Sequence, residues 1–472
     1  MSIFKKIAQN SGVIIFVNIT DVICNFIISV SLARYFGQTG FGKLSFLAIF
    51  FFFLGSVDNQ WIRPILVREI SRKPTNSGSI ISNGLLIKTG ITIVAIILFW
   101  ITIWFVGPTA DVITLAFFTS ISLLIASLIS SYLIALQVNL QMAYFVAFDL
   151  LNKIVILILI SLVIILKGNL FHYYLLSLIP SIMLLFQVKR YSEKIIKPIF
   201  KIDFGLWKKI FTESWPLGLT AFFIFVYHRI DQIILFRLKG SDMVGLYSAA
   251  VRLTEIFNII PLALMTSILP LMSKYYDVSK NNFDRIYQLS FKYLLIFIIP
   301  VAFGISIFSD NIASFLYGKG FLSSGPALRI LIWAEIFVFL GVVNNSILIA
   351  ARKQKIDPIF TGVSAFVNIV LNFILIPKLG IVGAAIASLV SYSIGPIMGY
   401  FIQATHVYSS SMLHYSLRPI LASLFMSFCI FTIRNYFLVS IILSPLVYLL
   451  ILYLIKGISQ EDIRMVKIII SS

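Results

Sequence analysis

The sequence predicts an all-α protein that crosses a membrane many times. Of its 472 residues 60% are hydrophobic and 12% charged. Apolar runs of roughly 20 residues, the length a helix needs to cross a ~30 Å hydrocarbon core, recur along the whole chain. A membrane barrel would instead show ~10-residue segments of alternating polarity, and the chain has no such pattern.

Taken in order, spans are expected near 11–35, 42–62, 80–106, 112–136, 142–166 and 169–188. Six more follow near 214–236, 244–271, 287–308, 322–350, 357–377 and 380–404, then two near 413–433 and 437–456. That makes about fourteen transmembrane helices. The opening MSIFKK leads into a long apolar span with no small-residue cleavage site, so no cleavable leader is expected. Cys24 and Cys429 both lie in apolar runs and imply neither a disulfide framework nor a metal site.

Lys and Arg sort the loops into two classes. One class carries Arg68, Arg72 and Lys73, the basic run from Lys189 to Lys209, then Lys274, Lys280 and Arg285, then Arg352, Lys353 and Lys355. The other is short and poor in charge: GQTG at 37–40, GPTAD at 107–111 and KGN at 167–169. The positive-inside rule puts the basic class and both termini in the cytoplasm. It also accounts for the net charge of +19 without nucleic acid as a partner.

The chain repeats itself. Leu32-Ala-Arg-Tyr-Phe-Gly-Gln-Thr-Gly-Phe-Gly42 matches Leu235-Phe-Arg-Leu-Lys-Gly-Ser-Asp-Met-Val-Gly245 at one constant offset, and Ser45 meets Ser248 at the same offset. Both copies follow the first span of a six-span block. Six is even, so the blocks share an orientation, which predicts two lobes related by a pseudo-two-fold axis along the membrane normal. The expected organisation is an amino-terminal lobe at 1–190, a basic cytoplasmic linker at 191–213, a carboxy-terminal lobe at 214–405, and two further spans with a tail at 406–472. Substrate sites in such proteins lie between the lobes near the midplane.

Polar residues inside spans are expensive and mark function by default. Asn18, Asp21 and Asn25 share one face of span one, and Asp149 and Lys153 are one turn apart in span five. Arg252 and Glu255 stand together in span eight, Arg329 and Glu335 share span ten, and Asn368 and Asn372 are one turn apart in span eleven. The plain alternative is that Asp149 with Lys153, and Arg252 with Glu255, satisfy each other and lock helices together. Arg229 and Asp231 are two residues apart on span seven, so they face different ways and each needs a partner elsewhere. Arg229, Lys153 and Arg252 are the candidates to hold a charged headgroup, with Asp21, Asn25 and Arg329 completing the polar set. Asp231, Asn368 and Asn372 offer a carboxylate and two amide oxygens, a donor set for a hard coupling cation, or else a hydrogen-bond cluster between helices. His228 is a candidate proton carrier or a structural hydrogen-bonding residue. Arg63 and Arg418, near span ends, are expected to snorkel, and Lys88 and Lys292 to do the same.

ARYFGQTGFGKLSF after span one, WPLGLTAFFIFVYHRIDQIIL, GLYSAAVRLTEIFNIIPLALMTSILPLMSKYY and LNFILIPKLGIVGAAIAS resemble the polysaccharide flippases of the multidrug/oligosaccharidyl-lipid/polysaccharide (MOP) exporter superfamily, and most of all the O-antigen (Wzx-type) group. The resemblance covers nearly the whole chain. It implies a V-shaped, two-lobed transporter in the bacterial inner membrane, with the last two helices as additions. Its substrate would be an oligosaccharide repeat unit on undecaprenyl diphosphate, and a glycan polymerase and a chain-length regulator would be partners. No P-loop, H-E-x-x-H or nucleophile elbow is present, so no enzyme chemistry and no cofactor is expected. The driving force stays open between H+ or Na+ antiport and the membrane potential. Two other readings are a multidrug or cation antiporter of the same superfamily and a polytopic glycan polymerase or ligase. Cationic drugs would favour a net acidic cavity, and an enzyme of that class would need a sizeable aqueous loop, which is missing here.

Overall fold

The computed structural model describes the backbone of residues 3–401, 406–433 and 436–457, with side chains throughout except at 3–19, 59, 60, 216, 354 and 406–414. Every regular element among these residues is helical. Thirteen stretches are long and apolar enough to cross a membrane. The first of them holds two of the expected spans. Helix α1 (Ile3–Val57) breaks only at Gly37, where φ is 66° and ψ is −170°. Glycine adopts positive φ at no steric cost, so the chain reverses within the GQTG sequence and resumes as helix at once. The fourteen expected crossings therefore appear as thirteen continuous stretches.

Past Val57 the helix widens into a π-turn, Asp58–Ile62, before α2 (Arg63–Arg72). Pro64 has no N–H for the Gln60 carbonyl and its ring crowds that position, which favours the wider turn. Then come α3 (Ser77–Val106), α4 (Ala110–Val138), α5 (Met142–Ile165), α6 (Leu170–Ile195) and α7 (Phe204–Lys239). They are followed by α8 (Ser241–Glu255), α9 (Ile259–Val278), α10 (Lys280–Tyr317) and α11 (Gly325–Ala350). The last four are α12 (Asp357–Leu379), α13 (Ile381–Phe401), α14 (His406–Thr432) and α15 (Phe437–Leu454).

Contacts divide the chain into two compact units, Met1–Ser248 and Ala249–Ser472. Helix α7 thus packs with the first unit, although the repeat places it at the head of the second block. Unit 1 sorts its loops between two ends, as the charge asymmetry requires. At one end Tyr35 donates a 2.9 Å hydrogen bond to the Gly168 carbonyl, Lys43 pairs with Asp111, and Arg237 reaches the Val106 carbonyl at 3.3 Å. At the other end the basic segment is pinned. Buried Asn83 donates to the Lys201 carbonyl at 2.8 Å and accepts from the Asp203 N–H at 2.9 Å and the Trp207 indole at 2.7 Å. Asp203 then caps α7 by accepting from the Leu206 N–H at 2.9 Å. Residues 196–203, expected as linker, are held by this network, while α6 and α7 take up the rest of the expected span.

The repeat has a direct structural counterpart inside unit 1. A Cβ on Gly42 would strike the Ser241 carbonyl and the Gly245 nitrogen, and one on Gly245 would strike the Gln38 carbonyl and the Gly42 nitrogen. Gln38 and Gly42 stand to Ser241 and Gly245 at the repeat offset, so the contact is reciprocal, as a local two-fold axis makes it. Backbones this close leave room for glycine alone.

Unit 2 is organised around α10. Phe283, Tyr287, Phe291, Leu294 and Ile298 recur on one face and pack against Phe339, Val343 and Ile347 of α11 and Met265 and Met272 of α9. Farther along, Phe308 packs with Met426, Ile430, Tyr448 and Leu452 of α14 and α15, and Tyr448 donates to the Ile296 carbonyl at 2.8 Å. Large apolar side chains such as Trp104, Phe105, Phe366 and Phe428 face outward, as lipid contact demands.

Candidate functional site

The most enclosed ion cluster in unit 1 is one the sequence did not announce. Asp58, at the start of the π-turn, pairs through one oxygen with Lys88 of α3 and through the other with Arg63 of α2. Lys88 does not snorkel: its side chain is 5% exposed, against 10% for Asp58. Arg63 is likewise turned inward onto Asp58, with its side chain 20% exposed. Next to the cluster lies a cavity of about 190 Å³, lined by Phe51, Gly55, Thr92, Ser127 and Ser130 as well as the three charged residues.

A second cluster joins α1 to α5. Lys153 pairs with Asp149 at 2.9 Å, the turn-apart pairing expected, and also with Asp21. Asn25 donates to Asp21 at 3.1 Å. Lys153, Asp21 and Asn25, three of the expected substrate contacts, thus form one network in which two carboxylates face one ammonium. Asn18 has its side chain outside the described residues.

On α7, Arg229 is half-buried with its guanidinium 4.4 Å from the centre of the Phe52 ring, a cation–π contact with α1. The His228 ring packs against Tyr227 and Phe52. Asp231 is fully buried and accepts from the Tyr247 hydroxyl. Gln232 beside it accepts from Ser248 at 3.4 Å.

Unit 2 holds its polar groups differently. Arg252 and Glu255 lie half-buried at the end of α8. Glu335 of α11 is 4% exposed with one carboxyl oxygen lacking a hydrogen-bond partner, and Glu255 stands near enough to repel its charge. Arg329 does not join Glu335. It bonds instead to Asp310 at 3.3 Å and to the Ser306 carbonyl at 3.2 Å, with its side chain half exposed. The two are six residues apart on α11, which turns them roughly 120° from each other. Asn368 and Asn372 are wholly buried. Asn368 donates to Ser391 at 2.9 Å, and Asn372 donates to the Asn368 side-chain oxygen at 2.8 Å, leaving its own amide oxygen without a partner. Asp231, grouped with them by sequence, belongs to unit 1. A separate groove of about 380 Å³ is almost wholly apolar, lined by Leu295, Ile299, Trp333, Phe337 and Pro396 among others.

The comparisons with known proteins agree with this architecture. Residues 7–276 match the family model described as polysaccharide biosynthesis protein, and residues 181–452 match that of the lipid II flippase MurJ. The probable low-salt glycan biosynthesis flippase Agl15 of Haloferax volcanii is 28% identical over 45% of this chain, so the match spans 44% of that relative's length. The structure of lipid II flippase MurJ in an inward closed conformation superposes with a TM-score of 0.75 at 20% identity, covering 92% of this chain and 97% of that one. An inward-facing MATE family multidrug resistance transporter of the MOP superfamily gives 0.66 at 13% identity over 82% and 94%. At such identities the structural likeness establishes the fold, and the family models, each covering more than half of the sequence, establish the kinship: the chain belongs to the family of polysaccharide biosynthesis proteins.

Proposed function

We propose that the protein moves an undecaprenyl-diphosphate-linked oligosaccharide repeat unit, a precursor of O-antigen, capsule or exopolysaccharide, from the cytoplasmic to the outer leaflet by alternating access. The barrier to that movement is desolvation, since neither a diphosphate nor a sugar chain enters hydrocarbon unaided. The observation that carries the reading is Arg229, a guanidinium kept inside a membrane-spanning helix and propped on the Phe52 ring. Such a group can grip phosphate with two parallel bonds. Lys153 and Arg252 are the further cations of the expected set. Driving force would come from H+ or Na+. The unpartnered Asn372 oxygen beside Asn368 supports these two amides, without Asp231, as a coupling-cation site in unit 2. The basic loops support cytoplasmic termini in a bacterial inner membrane, and the class of substrate supports a polymerase and a chain-length regulator as partners.

The test is glycan export. Surface glycan is measured in cells carrying Arg229→Lys and Arg229→Ala, with protein amount measured alongside. Arg229→Lys should lose most export, because charge remains but the fork is gone, and Arg229→Ala nearly all. An Arg229→Ala protein present at the normal level and exporting normally would remove the headgroup contact on which the reading stands.

A further inference from the structure

We infer that the cavity beside Asp58, Arg63 and Lys88 is an oxyanion site, built to take a phosphate or carboxylate group borne by the transported molecule. The source of the anion rests on the flippase reading; the binding itself does not. The first argument is charge balance. Asp58 spends one oxygen on Lys88 and the other on Arg63, so a single carboxylate faces two cations and the cluster carries a net +1. Among the described residues no second carboxylate pairs with Lys88 or Arg63. A buried charge left unbalanced is costly, so an anion in the adjoining cavity would be strongly favoured.

The second argument is unmet donors. A guanidinium has five N–H groups and an ammonium three. The buried Arg63 Nε has no hydrogen-bond partner, while the terminal nitrogen holds Asp58. Ser127 and Ser130 line the same cavity. The third is the backbone. Five residues of α-helix turn about 500°, which would set Asp58 and Arg63 some 140° apart. The π-turn, with its bonds from i to i+5, stacks them on one side and aims both at the cavity. A staple between α1 and α3 would need only Asp58 and Lys88; it gives Arg63 no reason to face inward.

Binding of inorganic diphosphate and of glucuronate to the full-length protein in lipid nanodiscs, by calorimetry, decides the matter. Arg63→Gln leaves the Asp58–Lys88 pair intact, so the protein should fold and bind the preferred anion at least tenfold more weakly. Asp58→Asn releases both cations and should bind it more tightly, which no structural staple would produce. Preference for diphosphate would assign the site to the lipid carrier, and preference for glucuronate to an acidic sugar; either supports it. If the unmodified protein binds neither at millimolar concentration, or if Arg63→Gln, Lys88→Gln and Asp58→Asn all bind as the parent does, the site is not there. Intact binding together with no movement of glycan lipid in reconstituted vesicles would instead count against the flippase reading.

Discussion

Two polar clusters of unit 1 and the polar interior of unit 2 are held by opposite means. In unit 1 these clusters are ion pairs built around lysine, Lys88 with Asp58 and Lys153 with Asp21 and Asp149, beside the hydroxyl-held Asp231. In unit 2 the buried polar groups include an acid and amides: Glu335, and Asn368 with Asn372 and Ser391. Their cavities differ in the same sense. The one in unit 1 has charged and hydroxyl walls, whereas the groove in unit 2 is apolar. Kinship at the level of fold and repeat therefore does not carry over to the chemistry of the interiors.

The sharpest way to break this contrast is to remove one charge from each side. Asp58→Ala strips both cations of their partner where all three groups are mostly buried. Removing one member of a buried pair costs about 3–5 kcal/mol, and unfolding in detergent should show a loss of that size. Lys88→Met added to it should recover part. Glu335→Gln should shift stability by less than about 1 kcal/mol, because the amide fills the same space and removes the repulsion from Glu255. If Glu335→Gln costs as much as Asp58→Ala, then Glu335 is an ion-pair member too and the two interiors are alike.

The same contrast explains which features were legible in the sequence. Asp149 and Lys153 were readable because one turn of helix brings them together whatever the tertiary fold. Their link to Asp21 was not, because it joins α1 to α5. Asp58, Arg63 and Lys88 were missed for a different reason. Position near a span end suggested snorkelling for the two cations, and the π-turn that re-aims Arg63 has no signal beyond Pro64. The repeat was visible as matched glycines, but only coordinates show Gly42 and Gly245 meeting each other. Apolar length gave the spans. It could not tell that Gly37 would join two of them without a loop, nor that Arg329 would turn to Asp310 rather than to Glu335.

The smallest effect separates pairs at the ends of unit 1 from those in its interior. Glu69 of α2 accepts from Lys209 of α7 at 2.7 Å and from Arg68 at 3.1 Å, and Arg68 also pairs with Glu213. The bond to the Lys209 ammonium, helped by Arg68, holds the Glu69 carboxyl below the ordinary range. A lowered carboxyl pKa means that the native state favours the ionised form. The stabilisation is therefore fully present above the unfolded value, about 4.3, and is lost as pH falls through the lower native value. Lys209 and Arg68 are about 40% exposed, so solvent screens the clasp and it should be worth less than about 1 kcal/mol. Melting temperatures of the parent and of Glu69→Gln should differ by a degree or two at pH 7 and converge toward pH 4 and below. A gap that stays constant over that interval would mean that Glu69 holds α2 to α7 by packing rather than by charge.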